Sequence, residues 1–320
     1  TGSVQCIQNT MNTRRRPTIM EYSMPDFPII DTHLHIWDFD RLNYSAFQGH
    51  TLFGKSYQIE DYQRDCENVE VEAMVFLECY ADFTPTSGQY IEEIEFVEDS
   101  ALRDPRIKGI VPMAPLEWGS RVEPMLAEMK ENHPAVKGIR RIVEFDENPR
   151  ALTLSDDFIE GVNLLDKFGF HFEINVSFGQ MDFIREFVKY IPKVQMILDH
   201  CGKPGIASGA IDQYRADVKE LSEHPNLLIK MSDLPAAADH ETWTEDDLRP
   251  YIDATIEAFG FDRTIYASDY PVCLLAASVS RGIEVLDRAL AGSSESELRK
   301  FYRDNANDFY RLGLPSSSSI

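Results

Sequence analysis

Eight short apolar runs, separated by amphipathic stretches, restrict the fold of this chain more than any other feature. The runs are Ile29–His35, Val71–Tyr80, Ile107–Ala114, Val136–Ile142, Phe170–Val176, Val194–His200, Asn226–Ser232 and Thr264–Asp269. Several are almost continuously apolar, which is typical of parallel strands that helices cover on both faces. Eight such strands alternating with helices between residues 26 and 313 predict an α/β fold, a single (β/α)8 TIM barrel.

The stretches between the runs carry the start and stop signals of helices. Apolar residues recur at helical spacing over 157–168 and stop at Gly169, a residue suited to a helix C-terminus. Near the end of the chain, Ser294 and Glu297 have the spacing of a capping box. They precede an amphipathic face that we expect to close at Gly313.

The alternative fold is a doubly wound open sheet. That fold normally has a glycine-rich phosphate turn after its first strand, and this chain has Asp31-Thr32-His33-Leu34-His35 there. No linker or internal repeat divides the centre of the chain. We therefore expect one barrel over residues 26–313, between flexible tails at 1–25 and 314–320.

The charge balance limits the partners of such a barrel. Lys and Arg number 31 and Asp and Glu number 54, which gives a formal charge of −23. Such a field repels phosphate backbones and anionic lipid, so neither nucleic acid nor a membrane surface is expected as a partner. An anionic substrate would be repelled as well, and its site would need local positive charge.

Cysteine usage and hydropathy predict a reduced, cytoplasmic protein. The five cysteines have no short paired spacing, so neither a disulfide framework nor a CxxC zinc site is indicated. No apolar run reaches the roughly 20 residues of a membrane span, and the first residues lack the apolar core of a signal peptide. The oligomeric state stays open, with a homo-oligomer as one alternative.

Reactive side chains collect at the predicted carboxyl ends of the strands, where TIM-barrel active sites lie. These side chains are His33, His35, Glu78, Arg140, Arg141, Asp199, His200, Ser268 and Asp269. His33 and His35 are two residues apart on a strand, so both imidazoles can face one site and bind one cation. Barrel closure would bring Asp269, at the end of the eighth strand, beside them.

These motifs resemble the amidohydrolase superfamily, specifically amidohydrolase-related family 2. Within it they are similar to the branch of sugar-lactone (fuconolactone, rhamnonolactone) and 2-pyrone-4,6-dicarboxylate lactonases. The matching segments are Ile30–Asp38, Lys137–Arg140, Leu198–Pro204, Lys230–Ser232, Trp243–Tyr251, Ser268–Val272 and Asn305–Tyr310. In this order they cover the whole predicted barrel.

The resemblance implies a site and a reaction. The implied catalytic residues are His33, His35, His200 and Asp269, with Asp269 as the general base toward water. The same four residues would be the ligands of any bound metal, which would be one divalent ion, zinc or manganese; a metal-independent enzyme is the alternative. Arg140 is expected to hold a substrate carboxylate or polarise the carbonyl group.

Three further residues are candidates to line the substrate pocket. They are Arg141, Tyr80 and Trp243, each of which could equally serve in packing. Specificity is expected to be set by the loops around Tyr44–Tyr57, Tyr80–Gly88 and Asp233–Trp243. The expected substrate is a small-molecule lactone.

Two departures from the superfamily pattern argue against a two-metal site. The histidine of the fifth run, His171, stands at its start rather than its end. Lys137 lies too early in the fourth run to bridge two metals as a carbamylated lysine. A smaller departure is Ala267-Ser268-Asp269-Tyr270, where the lactonases often have Gly-Ser-Asp-Trp.

The sequence leaves three functions open. The first is a lactonase, in which Asp269 activates water while the histidines and Arg140 stabilise the oxyanion. The second is a zinc-dependent decarboxylase of the same superfamily, which would require a histidine at the end of strand five. The third is a barrel that only binds a ligand, although a scaffold has no need of three histidines and a carboxylate at one mouth.

Overall fold

The computed structural model describes residues 25–84 and 87–316, and it confirms all eight apolar runs as parallel strands. An antiparallel pair of two-residue strands, Phe83–Thr84 and Ser87–Gly88, follows the second barrel strand. The strands are β1 (Ile29–Leu34), β2 (Val71–Leu77), β3 (Phe83–Thr84), β4 (Ser87–Gly88), β5 (Ile107–Val111), β6 (Gly138–Arg140), β7 (His171–Ile174), β8 (Met196–Leu198), β9 (Leu227–Met231) and β10 (Thr264–Tyr266).

Helices follow the strands along the chain. They are α1 (Ile59–Asp65), α2 (Tyr90–Arg103), α3 (Glu123–Asn132), α4 (Pro149–Thr153), α5 (Asp156–Phe168), α6 (Met181–Phe187), α7 (Ile211–Leu221), α8 (Glu245–Phe259), α9 (Val279–Ala289), α10 (Glu295–Arg299) and α11 (Asn305–Tyr310). As predicted, Gly169 ends α5 in a left-handed conformation, with φ of 66°. The predicted capping box of Ser294 and Glu297 begins α10.

The sheet closes into a barrel. One group of parallel strands runs β1-β2-β5 and a second runs β6-β7-β8-β9-β10. Parallel bridges join the groups at both seams, from Ile110 to Val136 and Met113 to Arg140 on one side and from Leu34 to Tyr270 on the other. The predicted TIM barrel is therefore present.

An apolar cluster fills the barrel interior and is sealed from one end by the C-terminal helix. Its strand members are Ile30, Ala73, Val75, Leu77, Val111, Ile197 and Ile265, and α11 adds Ala306 and Tyr310. A second, larger cluster lies between the strands and the helices. Because the interior is packed from below, the opening lies at the carboxyl ends of the strands.

The predicted C-terminal helical face needs a correction. A short π-helix, Lys300–Asp304, joins α10 to α11, and α11 stops at Tyr310 rather than continuing to Gly313. Arg311 takes the left-handed cap conformation, with φ of 53°. The Asn307 side chain bonds both the N–H and the carbonyl oxygen of Leu314 and so turns the chain back.

The predicted tails at 1–25 and 314–320 fall almost entirely outside the described residues. Within residues 25–84 and 87–316, no helix combines the length and the apolar character that crossing a bilayer requires.

Candidate active site

Residues in a left-handed backbone conformation cluster where the strands end. They are Tyr80, His200, Cys201, Lys203, Asp233 and Asp269, with φ between 47° and 59°. In the described part of the chain, Arg311 is the one other non-glycine residue with positive φ. This conformation is unfavourable for a residue with a Cβ atom, and it persists where the surrounding structure imposes it. Unfavourable backbone conformations are therefore concentrated at the rim of the barrel.

The structure brings His33, His35, His200 and Asp269 together at this rim. His33 Nε2 lies 3.0 Å from His35 Nε2. Asp269 Oδ1 lies 3.4 Å from His33 Nε2 and 3.3 Å from His35 Nε2. Asp269 Oδ2 lies 3.6 Å from Nδ1 of His200. Three imidazoles and one carboxylate thus share one buried space.

The first and last strands hold this cluster in register. Asp31 accepts hydrogen bonds from the backbone N–H of Ser268 at 2.9 Å and from its hydroxyl at 2.6 Å. It also accepts from the Tyr62 hydroxyl at 2.8 Å. Because Asp31 and Ser268 are direct or next neighbours of His33 and Asp269 in sequence, these bonds fix the histidine pair against the carboxylate.

Burial sets the protonation states of the cluster. It lowers the pKa of His200 to about 3 and that of His33 well below its usual value, so both rings are neutral at neutral pH. Burial opposes ionisation of Asp269, but the adjacent imidazoles of His200 and His35 outweigh it and lower the pKa of Asp269 to about 2. Asp269 is therefore a carboxylate at neutral pH and can accept a proton.

Arg140 lies beside the cluster but is held by acidic partners. Its Nε donates to Glu78 Oε1 at 2.9 Å, and its Nη2 donates to the Glu78 carbonyl oxygen at 2.8 Å. Its Nη1 lies 3.3 Å from Asp199 Oδ2 and 3.0 Å from His33 Nε2. The guanidinium is thus fixed beneath the site with its charge largely balanced.

A cavity of about 470 Å³ opens above the cluster, a size suited to a small molecule. His35, His200, Asp269 and Arg140 line its floor. Its aromatic wall consists of Trp37, Phe47, Phe53, Tyr80 and Phe145. Tyr80, a predicted pocket residue, is therefore placed at the cavity.

Arg141 and Trp243 are not brought to this cavity, and their predicted contact with substrate finds no support in their positions. Arg141 forms ion pairs at 2.9 Å with Glu117 and with Asp146. The Trp243 indole donates to the Ala276 carbonyl oxygen at 3.1 Å and does not line the cavity. Adjacent residues on a strand face opposite sides, so Arg141 turns away where Arg140 turns in.

Sequence reasoning placed Lys230 in a matching segment without a role, and it placed Asp233 only at the start of a loop expected to set specificity. Lys230 is fully buried, with Nζ 2.6 Å from Glu173 Oε2, 3.0 Å from Asp199 Oδ1 and 3.3 Å from His33 Nδ1. A lysine inside an apolar strand was the available signal, because a buried ammonium group requires acidic partners. Asp233 follows β9 and lines the cavity.

The donor atoms of the cluster fit a divalent metal. His35 Nδ1 lies 2.9 Å from the Leu77 carbonyl oxygen, which can only accept, so Nδ1 donates there and Nε2 is the ring atom left to bind a metal. Arg140 can only donate, so His33 Nε2 is also an acceptor. Asp269 Oδ1 has no hydrogen-bond partner among the described residues. Three electron-pair donors thus converge within 4.8 Å of one another, as metal ligands do.

The sequence is similar to a known protein family and to proteins named as lactonases. A sequence model of the family described as amidohydrolase matches residues 30–312. An L-fucono-1,5-lactonase of Burkholderia multivorans is 27% identical over 303 residues, which cover 91% of this chain and 98% of that protein. An L-rhamnono-gamma-lactonase of Scheffersomyces stipitis is 26% identical over 340 residues, with 90% and 100% covered.

A solved structure shows the same fold. It is an amidohydrolase from Burkholderia multivorans that was crystallised with bound zinc. Its TM-score is 0.78 at 24% identity, and the match covers 90% of this chain and 100% of that one.

Proposed function

The chain belongs to the amidohydrolase family, which matches it over residues 30–312, and on that premise we propose that it hydrolyses a lactone with Asp269 as general base. The observation that carries the proposal is the position of Asp269 Oδ1, which is ionised and buried between His33 and His35 at the floor of a substrate-sized cavity. It has no hydrogen-bond partner among residues 25–84 and 87–316. Matched relatives along nine tenths of the chain are named as lactonases, which supports this reaction class.

The residues account for each proton in the reaction. Asp269 takes a proton from water as the water oxygen bonds to the lactone carbonyl carbon. The negative charge that develops on the carbonyl oxygen is stabilised by His200 and by the N–H groups of Arg140, whose net charge Glu78 and Asp199 balance. As the ring C–O bond breaks, protonated Asp269 returns the proton to the leaving alkoxide, and an open hydroxy acid is released.

A divalent ion would be held by His33, His35 and Asp269, and His200 lies close enough to join them. Such an ion would supply a Lewis acid and acidify the bound water.

The test is acid release from a panel of aldonolactones and pyrone lactones, followed with a pH indicator, with and without a chelator. Replacing Asp269 with Asn removes the base while preserving size, and we expect kcat/KM to fall by roughly 10²–10⁴-fold. Asp166→Asn is the matched control, because Asp166 is exposed near the end of α5. No turnover of any lactone by folded wild-type protein, or an unchanged rate in Asp269→Asn, would refute the proposal.

The decarboxylase alternative lacks a specific supporting observation. In β7 the histidine is again the first residue, His171, and the strand ends at Ile174. His171 is bound to Glu173 at 3.1 Å, and it does not line the cavity. Release of CO2 from a hydroxybenzoate would be the result that favours that reaction.

A further inference from the structure

The cavity provides no cation that is free to bind an anionic group, as far as its described lining goes. Its two cations are Arg140, paired with Glu78 and Asp199, and Lys203, whose Nζ contacts Glu144. The acidic side chains facing the same space are Glu78, Asp233 and Asp269. A carboxylate on the substrate would therefore enter an already acidic site without a partner.

Asp233 occupies the point where three cavities meet. It lines the main cavity, a neighbouring one of about 380 Å³ and a small inner one of about 40 Å³ behind it. Its φ of 57° is the left-handed conformation, and the N–H groups of Ala236 and Ala237 bond its carbonyl oxygen at 3.1 and 3.3 Å. The turn after β9 thus holds the Asp233 side chain at the junction.

Two buried oxygen atoms of the cavity are hydrogen-bond acceptors to which no described residue donates. Asp233 Oδ1 is buried and receives no hydrogen bond from an N–H or O–H group of the described residues, and the same is true of Asn175 Oδ1. The Asp233 carboxyl group also lies beside Asp269 and His200, with one polar atom of each within 4.8 Å of the others. Both Oδ1 atoms are acceptors, and a carboxyl group retains acceptor capacity whether or not it is ionised. A buried acceptor without a partner is costly, so a bound molecule that offers hydroxyl groups would relieve that cost.

We propose that Asp233 is a specificity-determining residue whose Oδ1 accepts a hydrogen bond from a hydroxyl group of an uncharged, hydroxylated lactone. This inference rests on the proposed lactone hydrolysis and deepens it, because it selects uncharged polyhydroxy lactones over lactones that carry a carboxylate. The ring or side chain of the substrate packs against the aromatic wall, while its hydroxyl groups turn toward Asp233 and Asn175.

The test compares three lactones with wild type, Asp233→Asn and Asp233→Gly. D-Glucono-1,5-lactone is hydroxylated, δ-valerolactone has the same ring without hydroxyl groups, and 2-pyrone-4,6-dicarboxylate is anionic. In Asp233→Gly, we expect the ratio of kcat/KM for gluconolactone to that for valerolactone to fall roughly 10- to 100-fold, mainly through KM, because a site built for a hydroxyl group loses its acceptor. Asp233→Asn keeps an amide oxygen as acceptor and should restore part of the ratio.

Two controls separate this role from a structural one. Glycine adopts the φ of 57° without strain, so Asp233→Gly should keep the wild-type thermal midpoint. Any disturbance of Asp269 would slow both uncharged lactones by the same factor and leave the ratio unchanged. Asp166→Asn, the distant exposed control, should leave all three kcat/KM values unchanged.

The outcomes are distinct. A ratio that changes less than about threefold in Asp233→Gly, or a wild-type preference for the dicarboxylate, would overturn the role of Asp233 while lactone hydrolysis stands. Folded wild-type protein that opens none of the lactones in the wider panel would instead overturn the proposed function and this inference together.

Discussion

Lys230 offers the sharpest test of the buried charges beneath the site. Its ammonium group faces Glu173 at 2.6 Å and Asp199 at 3.0 Å, with all three side chains fully buried. Replacing it with Met keeps the length of the side chain but leaves Glu173 without its cation, while Asp199 keeps only Arg140, at 3.3 Å. Breaking a buried pair in this way costs about 3–5 kcal/mol, a large part of the roughly 5–15 kcal/mol that stabilises a domain.

The assay is urea unfolding of wild type, Lys230→Met and the double variant Lys230→Met/Glu173→Gln. The double variant also removes the Glu173 charge that has lost its cation, so it should recover at least about half of the loss in stability. Lys189→Met is the control, because Lys189 is exposed and its contact with Glu220 is 3.5 Å, a pair worth about 0–1 kcal/mol. A single variant within about 1 kcal/mol of wild type, or a double variant no more stable than the single, would refute the reasoning.

Three further predictions concern other parts of the molecule. Burial raises the pKa of Glu93 from 4.5 to about 8, so between these pH values Glu93 is ionised in the unfolded chain and protonated in the folded protein. The wild type therefore loses stability as the pH rises, and Glu93→Gln should gain about 1.4 kcal/mol relative to it per pH unit. A difference in unfolding free energy that does not change with pH in urea unfolding would contradict this prediction. Gly161→Ala places a Cβ atom 2.0 Å from the Leu116 carbonyl oxygen, so it should lower the free energy of unfolding by about 1–3 kcal/mol in the same assay. Gly282→Ala is the control, because Gly282 lies in α9 with open space around it, and it should not destabilise the protein. Zinc titrated into chelator-treated protein should bind at no more than one equivalent, because the candidate ligand groups overlap in His33, His200 and Asp269, and it should bind far more weakly in His35→Ala. Calorimetry that shows two equal sites would contradict this prediction.

The strands could be predicted because a strand that is covered on both faces consists mostly of consecutive apolar residues. Their carboxyl ends were not, since the predicted runs continue to Tyr80, Ile142 and Asp269 while the strands stop at Leu77, Arg140 and Tyr266. The last residues leave the hydrogen-bonded ladder to curve over the cavity. At Tyr80 and Asp269 this requires positive φ in residues other than glycine, which no sequence pattern signals.

Part of the site could also be predicted, because strand geometry determines which residues share a face. Two-residue spacing on a strand placed His33 and His35 on one face, and barrel closure placed Asp269 beside them. The same spacing rule, applied to neighbours, separates Arg141 from Arg140, but the sequence alone does not show which of the two faces inward. Trp243 lies in a loop, whose path depends on contacts that no local pattern encodes.

The pairing of β1 with β10 has a consequence for folding during synthesis. The histidine pair is near the start of the chain and Asp269 near its end, and the Leu34–Tyr270 bridge and the Asp31–Ser268 bonds join them across more than 230 residues. A chain still emerging from the ribosome carries the imidazoles without the carboxylate, so it can hold no finished site. Catalysis therefore begins only when β1 and β10 have paired. Measured activity thus also indicates that the barrel has closed completely.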